Sequence, residues 1–363
     1  MVRTGLILHN KVDLFMEALM AGQPLKFAVI GLGMASKPHL AALLQLADSI
    51  EVAGVYARNA DRRKEVSDNW GWPQFESLEE IAASDIDATL IITPPNARIN
   101  VVRTIAASGK AILMEKPVER DLKRATELVE ICEIANVPLG IVLQHRFRAG
   151  AEAMTTKIHS GEVGDVLSVR ATLPWWREQS YYDQPGRGTY AKDGGGVLIT
   201  QAIHVLDLML SLTGPAHEVV AMTGRTKQHQ MEAENFATAG IRFENGAIGA
   251  VIATTASFPG HAEMLELDCE RASMRLIAGE LTVHWRDGRV ETVGDLSGTG
   301  GGKDPMDFPC DWHRDLIQDF AMSLKAGTPP RVSGRAALEV HRLIDAIEKA
   351  ARSGNISKVR SIV

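Results

Sequence analysis

The sequence predicts two domains: a doubly wound α/β domain and, after it, an α+β domain with a large, mainly antiparallel sheet. From residue 26 to residue 142, short apolar runs alternate with longer helical patterns, which is typical of repeated βαβ units. After residue 144, apolar-alternating runs are joined by short turns such as Asn245-Gly246 and Asp287-Gly288, which predicts antiparallel hairpins. The 363 residues also exceed what one hydrophobic core usually organises.

Five strands and four main helices are predicted in the first domain. The strands cover residues 27–30, 51–56, 88–92, 111–114 and 139–142, and the helices cover residues 37–46, 61–69, 97–108 and 122–135. The run 111–114 is apolar throughout, so we expect a strand buried on both faces of a parallel sheet. Pro117 favours an extended Lys116. Glu115 and Lys116 therefore lie at the carboxyl end of this strand, where open α/β sheets bind ligands.

A glycine loop joins the first predicted strand to the first predicted helix. Gly31 and Gly33 match the first two glycines of a G-x-G-x-x-G pattern, and Ser36 stands at the third. These glycines let the backbone approach a pyrophosphate, to which the helix N-terminus offers N–H groups. The setting predicts a Rossmann dinucleotide-binding domain over residues 25–145. The run 93–96, after the third strand, adds a second loop at the same edge of the sheet.

The second domain is predicted over residues 146–363 as a substrate-binding and oligomerisation domain. Its predicted strands cover residues 166–173, 219–225, 237–243, 247–253, 264–267, 273–277, 281–285 and 289–293. Two helices are predicted over residues 312–326 and 335–353, and a return of the last helix onto the first domain is left open.

Two segments fall outside these patterns. Residues 1–24 are predicted to be an N-terminal extension, packed on the surface or translated from an upstream start, with loose helical spacing over residues 12–20. Residues 298–304 are glycine-rich and follow no strand-helix pattern, which predicts a flexible surface loop rather than a phosphate cradle.

Three glycines open the most distinctive helix of the second domain. Residues 194–196 lead into a helix that is predicted to end near Leu212. At 3.6 residues per turn, Thr200 and His204 share one face of this helix, with Gln201 beside them. A helix that begins on three glycines can bring its backbone close to a ligand. His204 is a candidate site residue, and the alternative is a hydrogen-bonded core histidine in an apolar helix.

The loop before these glycines is rich in aromatic residues. Residues 175–190 contain five of the ten Trp and Tyr residues of the chain. Flat rings cover the C–H faces of sugars, and Arg177, Gln179 and Arg187 offer groups for hydroxyls or an acid. The loop therefore predicts a site for a polyhydroxylated ligand, with an ordered surface loop as the alternative.

Composition excludes several other classes of function. The net charge of −6 and the lack of a Lys/Arg run argue against a nucleic-acid partner. Three widely spaced cysteines predict neither a disulfide framework nor a metal site, and they fit a reducing compartment. The apolar runs are too short to span a bilayer, and the N-terminus has no continuous signal-peptide core. We expect a cytoplasmic protein without a membrane partner.

The order and spacing of these motifs resemble the Gfo/Idh/MocA oxidoreductase family, which includes glucose-fructose oxidoreductase and inositol dehydrogenases. The resemblance covers nearly everything after residue 25: the glycine loop, Thr93-Pro94, the run 109–117, and the triple glycine that precedes His204 and Asp207. It implies an NAD(P)-dependent oxidoreductase that transfers a hydride between nicotinamide and a carbinol or carbonyl carbon of a sugar, sugar acid or cyclitol.

Two alternatives stay open beside this activity. One is a redox-neutral, NAD-dependent glycoside-cleaving enzyme of the same family, and the other is a catalytically inactive sugar-sensing regulator. The chain also departs from the family at two positions. Thr200 stands where many members carry an aspartate, and Arg98 stands where many carry a histidine.

The resemblance and the motifs together define the candidate site residues. In the family, the residues matching Lys116 and His204 flank the carbinol, and Thr200 completes the catalytic candidates. The cofactor-binding candidates are Gly31, Gly33, Met34, Ala35, Ala57, Arg58, Thr93, Pro94, Asn96, Glu115, Lys116 and Gln144. The substrate-binding candidates are Arg146, Trp175, Trp176, Tyr182, Arg187, Gln201 and His204.

Cofactor choice and assembly complete the expectations. The second strand ends without an acidic residue for the ribose hydroxyls, and Arg58 stands where it can meet a 2′-phosphate, so NADP is favoured over NAD. An exposed face on a large antiparallel sheet usually finds a partner, so we expect a homodimer or homotetramer.

Overall fold

A computed structural model describes residues 23–296 and 309–359, and within them it shows both predicted layers. The first sheet is parallel, with its strands in the order β2-β1-β3-β4-β5. Its strands are β1 (Leu25–Ile30), β2 (Ile50–Tyr56), β3 (Ala88–Ile91), β4 (Ala111–Glu115) and β5 (Leu139–Val142). The strand order reverses beside β1, which creates a crevice at the carboxyl ends of β1 and β3.

Helices cover both faces of this sheet. They are α1 (Ser36–Gln45), α2 (Ala60–Trp70), α3 (Leu78–Ala83), α4 (Arg98–Ala107) and α5 (Leu122–Ile134). Asn59 and Asp121 begin α2 and α5 as N-caps, each accepting a backbone N–H at 2.9 Å. Gly71 ends α2 in the left-handed region, with φ of 70°.

The second sheet has nine strands in the order β13-β12-β11-β10-β6-β9-β8-β7-β14. The β6–β9 pair is parallel, and the other neighbouring pairs are antiparallel. The strands are β6 (Val166–Pro174), β7 (Ala216–Gly224), β8 (Phe236–Phe243), β9 (Ile248–Thr254), β10 (Met264–Cys269), β11 (Ala272–Ile277), β12 (Glu280–Trp285), β13 (Val290–Val293) and β14 (Ser357–Lys358). Alternate burial along these strands leaves one face exposed.

The remaining helices come after β5 in the chain. They are α6 (Ala149–His159), α7 (Gln179–Tyr182), α8 (Ile203–Thr213), α9 (Asp311–Ala326) and α10 (Gly334–Ser353). Helix α9 packs on α1, and its Phe320 also meets Phe27 of β1 edge to face, at 6.2 Å between ring centroids. Helix α10 contacts α5 and β7, so the last helix touches both domains.

The predicted fold class is therefore confirmed. The sequence prediction omitted α3, α6, α7 and the two-residue strand β14. Residues 1–22 of the expected N-terminal extension 1–24, and the expected loop 298–304, lie outside the described residues.

Candidate active site

The glycine loop lies at the crevice of the first sheet. Gly31 has φ of 101°, and a Cβ there would lie 2.8 Å from the backbone nitrogen of Thr93, so the position requires glycine. A Cβ on Gly33 would meet nothing within 4 Å, because this residue faces open space. The Ser36 hydroxyl donates to the Gly33 carbonyl at 2.7 Å and ties the loop to the start of α1.

A cavity of about 750 Å³ opens in front of this loop. Its walls come from the glycine loop, from α1 and α2, and from residues 178–184 of the second domain. Met34 of the first domain and Tyr181 of the second are both part of its lining. The cavity therefore has the size and the glycine-lined wall that a dinucleotide needs.

The other predicted cofactor residues surround the same edge. Arg58 follows β2, is exposed, and has no hydrogen-bonding partner among residues 23–296 and 309–359. Thr93 and Gln144 each keep a buried side-chain oxygen, Oγ1 and Oε1, that no described group satisfies. Such orphaned polar atoms fit a polar ligand. The remaining members are Ala35, Ala57, Pro94 and Asn96, of which Ala57 is partly buried and the others are exposed.

Glu115 ends β4 with its carboxylate turned into the protein. His39 Nε2 donates to Glu115 Oε1 at 2.8 Å, and the ring of His313 lies edge to face on His39. Burial acts to raise the pKa of Glu115, but the hydrogen bond and charge of His39, together with Lys116, outweigh it and lower the pKa to about 2. The side chain of Glu115 thus serves the interior rather than an exposed cofactor surface.

Three potential metal-ligand side chains meet at this point. The ligand atoms of His39, Glu115 and His313 lie within 4.8 Å of one another. The direct hydrogen bond between His39 and Glu115 already satisfies the carboxylate, so we assign the cluster to hydrogen bonding and place no metal there.

Lys116 connects the two domains. Its Nζ donates to the backbone carbonyl of Thr200 at 2.8 Å. Burial and the positive charges of Arg187 and Arg98 lower its pKa, while Glu115 opposes them. The neutral amine is therefore more accessible at this lysine than at an exposed one.

Thr200 lies in a π-helical turn, Leu198–Ala202, that precedes α8. Its hydroxyl donates to the Gly196 carbonyl at 2.5 Å and also contacts Gln201 Oε1. The hydroxyl is thus engaged inside its own turn, and the group that Thr200 offers to Lys116 is its carbonyl.

The glycines before this turn pack against Glu234. A Cβ on Gly196 would overlap the Glu234 carbonyl, which explains the glycine there. The Glu234 carboxylate accepts the N–H groups of Gly196 and Leu198 at 3.0 and 3.1 Å. Burial raises the pKa of Glu234 to about 7, against the effect of these hydrogen bonds.

His204 is buried in the first turn of α8. Its ring stacks on His145 with 4.7 Å between centroids and 22° between planes, and its Nδ1 has no partner among the described residues. Burial, followed by the charge of Lys116, holds the pKa of His204 well below its ordinary value. His204 is therefore a neutral imidazole at physiological pH.

A buried chain of polar groups supports His204 from behind. His145 Nε2 lies 2.6 Å from Arg148 Nη2, and Arg148 pairs with Glu263 at 2.6 Å. Glu263 also accepts the indole N–H of Trp175 at 3.1 Å. Trp175, a predicted substrate residue, is thus a buried part of this support.

Arg146 is similarly engaged by a protein carboxylate. Its Nε and Nη2 donate to the two carboxylate oxygens of Asp207 at 2.7 and 2.6 Å. The bidentate pair joins the end of β5 to α8 and holds this helix against the first domain.

The aromatic loop divides into residues that face the cavity and residues that do not. Tyr181 lines the cavity, lies beneath the Arg187 guanidinium, and has its hydroxyl 3.5 Å from Gln201 Nε2. Tyr182, predicted to bind substrate, is buried and shares a 2.6 Å hydrogen bond with the Thr255 hydroxyl. Trp176 packs between His229 and Phe258.

Sequence reasoning missed four residues of this site: His39, His145, Tyr181 and Glu234. Two carried a usable signal, because His145 directly follows β5 at the ligand-binding edge and Tyr181 lies within the predicted aromatic loop. His39 and Glu234 carried none, since their partners are 76 and 38 residues away in the chain.

Among the described residues, no helix combines the length and apolar character that crossing a membrane requires.

Comparison with known proteins agrees with this geometry. Residues 25–142 match the model of the oxidoreductase family with an NAD-binding Rossmann fold, and residues 152–275 match that of the GFO/IDH/MocA C-terminal domain. The D-apiose dehydrogenase of Paraburkholderia graminis is 24% identical over 350 residues, which cover 93% of this chain and 90% of that protein. The myo-inositol 2-dehydrogenase of Thermotoga maritima is 24% identical over 324 residues, covering 85% and 91%.

A solved structure shares the whole architecture. The WlbA dehydrogenase from Bordetella pertussis, crystallised in complex with NADH and UDP-GlcNAcA, superposes with a TM-score of 0.79 at 25% identity. The superposition covers 93% of this chain and 100% of that one. Both domains of the family are thus present in order, and the chain belongs to the Gfo/Idh/MocA family of oxidoreductases, with an NAD(P)-binding Rossmann domain at its front.

Proposed function

We propose that this chain oxidises a carbinol, or reduces the matching carbonyl, of a sugar, sugar acid or cyclitol, with Lys116 moving the proton and His204 positioning the hydroxyl. The observation that supports this most is the link between the two domains, in which the Lys116 amine meets the turn that leads into His204. The relatives named for apiose and inositol act on the same chemical class.

The residues divide the work according to their protonation. A bound nicotinamide supplies the acceptor or donor for the hydride. The depressed pKa of Lys116 lets its neutral amine accept the carbinol proton in the direction of oxidation. His204, whose pKa lies well below its ordinary value, orients the hydroxyl through a hydrogen bond rather than as a cation. This lowered pKa favours orienting the hydroxyl over sharing the proton as the role of His204.

The cofactor groove is proposed to use the orphaned acceptors. Thr93 Oγ1 and Gln144 Oε1 are buried and unsatisfied among the described residues, so each is suited to a donor on the dinucleotide. Gly31 and Gly33 leave the loop backbone accessible to the pyrophosphate.

NADP is proposed as the preferred cofactor because Arg58 is exposed at the end of β2 without a partner in the described chain. Comparing kcat/KM for the two cofactors tests this preference. We expect Arg58→Ala to weaken NADP use by about tenfold and to leave NAD use nearly unchanged, the scale of one lost charged contact. A strong preference for NAD that Arg58→Ala does not alter would refute it.

The aromatic loop is proposed to cover the substrate. Tyr181 and Arg187 lie together between the cavity and Gln201, and a ring beside a guanidinium suits a polyhydroxylated ligand.

The exposed face of the second sheet is proposed as a homo-oligomer interface. Val220, Met222, Ile248 and Ile252 are 51, 70, 58 and 47% exposed on this face, which forms an apolar patch. Light scattering after size exclusion tests it: Met222→Glu should lower the mass to that of one chain, whereas Ile134→Glu on α5 should not. A single-chain mass for the wild type would reject the interface.

A cytoplasmic location is proposed from the cysteines. Cys132, Cys269 and Cys310 are all free, and two of them are buried. Free thiols in this number suit a reducing compartment.

The decisive assay offers NAD and NADP separately with a panel of aldoses, uronates, cyclitols and simple glycosides, and it follows both cofactor reduction and substrate loss. We expect net reduction that is stoichiometric with substrate loss. Loss of a glycoside without net reduction would favour the redox-neutral enzyme, and a tight ligand with no turnover would favour the regulator.

A further inference from the structure

Arg98 is one of the two largest charged side chains that the fold buries almost completely. It opens α4, and 2% of its surface is exposed. Its Nε donates to the Thr93 carbonyl at 2.8 Å, and its Nη1 donates to the Glu115 carbonyl at 2.5 Å and to the Pro117 carbonyl. Arginine side chains are rarely buried so completely, because burying a charge costs free energy unless its donors are satisfied. Here the backbone carbonyls satisfy them.

Those carbonyls lie where β3 and β4 end, at the cofactor edge. Thr93 follows β3, whereas Glu115 is the last residue of β4 and Pro117 follows Lys116. One planar guanidinium therefore fixes the spacing of these two strand ends and holds the backbone on both sides of Lys116. Its several N–H donors in one fork make this possible, whereas an imidazole has two ring nitrogens and a lysine has one donor atom.

The charge of Arg98 persists in this setting. Burial lowers its pKa to about 10, with Glu115 and Glu119 opposing the shift, so the guanidinium stays protonated at neutral pH. Lys116 is also faced by Glu115 on its own strand, by Arg187 and Asp193 from the aromatic loop region, and by histidines held neutral through burial. Arg98 is thus one of two cations acting on the Lys116 amine.

We propose that Arg98 is a positioning residue that ties the loop after β3 to the Glu-Lys-Pro turn and thereby sets both the cofactor groove and the Lys116 amine. The proposal deepens the function proposed above and rests on its placement of Lys116. The Nε and Nη1 donors of Arg98 bind backbone carbonyls, so we assign it no contact with substrate or cofactor.

Substitutions at Arg98 separate its geometry from its charge. Arg98→Lys keeps a cation but loses the fork, and Arg98→Gln keeps an amide donor but loses the charge. Arg103 lies on the same helix in an exposed ion pair with Glu127, so Arg103→Lys and Arg103→Gln are matched controls.

Two readouts need no substrate. The first is the affinity for NADH and NADPH, measured by fluorescence titration. The second is the pH midpoint for acylation of Lys116, measured by mass spectrometry after brief labelling. Both Arg98 variants should bind the preferred cofactor about tenfold more weakly, the scale of one lost charge-assisted contact. In Arg98→Gln the midpoint should also rise by about one pH unit, since a neighbouring cation is gone.

Thermal unfolding identifies any variant that fails to fold. If Arg98→Gln fails to fold, the cofactor affinity of Arg98→Lys alone tests the proposal. Cofactor affinities within about twofold of the Arg103 controls in a folded Arg98 variant would overturn the proposal. If the pH midpoint for acylation of Lys116 is unchanged in folded Arg98→Gln, the proposed effect of Arg98 on the Lys116 amine is refuted. If the wild type binds neither cofactor, the proposed function fails instead, so the two failures are distinguishable.

Discussion

Thr200 acts through its backbone. Its carbonyl accepts from Lys116 at 2.8 Å, whereas its hydroxyl is satisfied by Gly196 and Gln201. Many family members carry an aspartate at this position. The Thr200 hydroxyl does not take the place of that carboxylate, because it is already hydrogen-bonded inside its own turn.

Thr200→Val tests this reading, since it removes the hydroxyl and keeps the carbonyl. We expect kcat to stay within about threefold of wild type. The lost hydrogen bond should lower the free energy of unfolding by about 1 kcal/mol. Steady-state kinetics beside urea unfolding make the comparison, and a large fall in kcat would return the hydroxyl to the mechanism.

Tyr181 and Tyr182 are neighbours in different surroundings. Tyr181 faces the cavity and Gln201, so Tyr181→Ala should raise the KM of the substrate by about fivefold or more through lost ring contact. Tyr182→Phe removes the bond to Thr255 and should lower the free energy of unfolding by about 1 kcal/mol with KM unchanged. The reverse assignment of effects would show that Tyr182 is the substrate residue.

At the scale of single residues, the sequence predicted what local geometry determines. Lys116 was located because a buried strand ends before it and a proline follows it. The ion pair between Arg146 and Asp207 was not predictable, because the two residues lie 61 positions apart. From sequence alone, a paired arginine cannot be distinguished from one that is free to bind a ligand. Long-range partners decide which polar residues are available to a ligand.

The turn before α8 packs against Glu234, whose raised pKa makes the free energy of unfolding depend on pH. The folded pKa of Glu234, about 7, exceeds its ordinary value of 4.5, so between these values the folded protein binds more protons than the unfolded chain. The contribution of Glu234 to stability is therefore fully present below pH 4.5 and is lost as pH rises through about 7.

Glu234→Gln removes this dependence and keeps the shape of the side chain. Between about pH 5 and about pH 8, the wild type should lose up to about 3 kcal/mol of unfolding free energy relative to the variant. Urea unfolding at both pH values measures the difference, with exposed Glu232→Gln as the control. Parallel pH profiles for wild type and Glu234→Gln would contradict the account.

Most elements with strong periodicity were predictable, and the missed ones are short except for α6, which has eleven residues. The strands of both sheets and the helices α9 and α10 follow regular apolar spacing. Helix α3 has six residues and the π-helical turn Leu198–Ala202 has five, which is too short for a period to emerge. The turn depends on Glu234, whose position beside it is set by the second sheet.

In the molecule as a whole, the candidate active site lies between the two domains. Lys116 comes from the first domain and His204 from the second. Helix α10 packs against both domains, and helix α9 packs against α1, β4 and β5 of the first. The two-domain order was readable from the change in pattern near residue 144. The way the C-terminal helices close the structure was not, because amphipathic helices do not reveal in sequence which sheet they cover.

The kcat at saturating cofactor tests the proposed division of labour between Lys116 and His204. Lys116→Ala should lower kcat by at least about 100-fold, the scale of a lost general acid or base, and His204→Ala should lower it less. Lys123→Ala, an exposed lysine on α5, should leave kcat unchanged. Near-normal kcat in Lys116→Ala, or a larger loss in His204→Ala, would contradict the account.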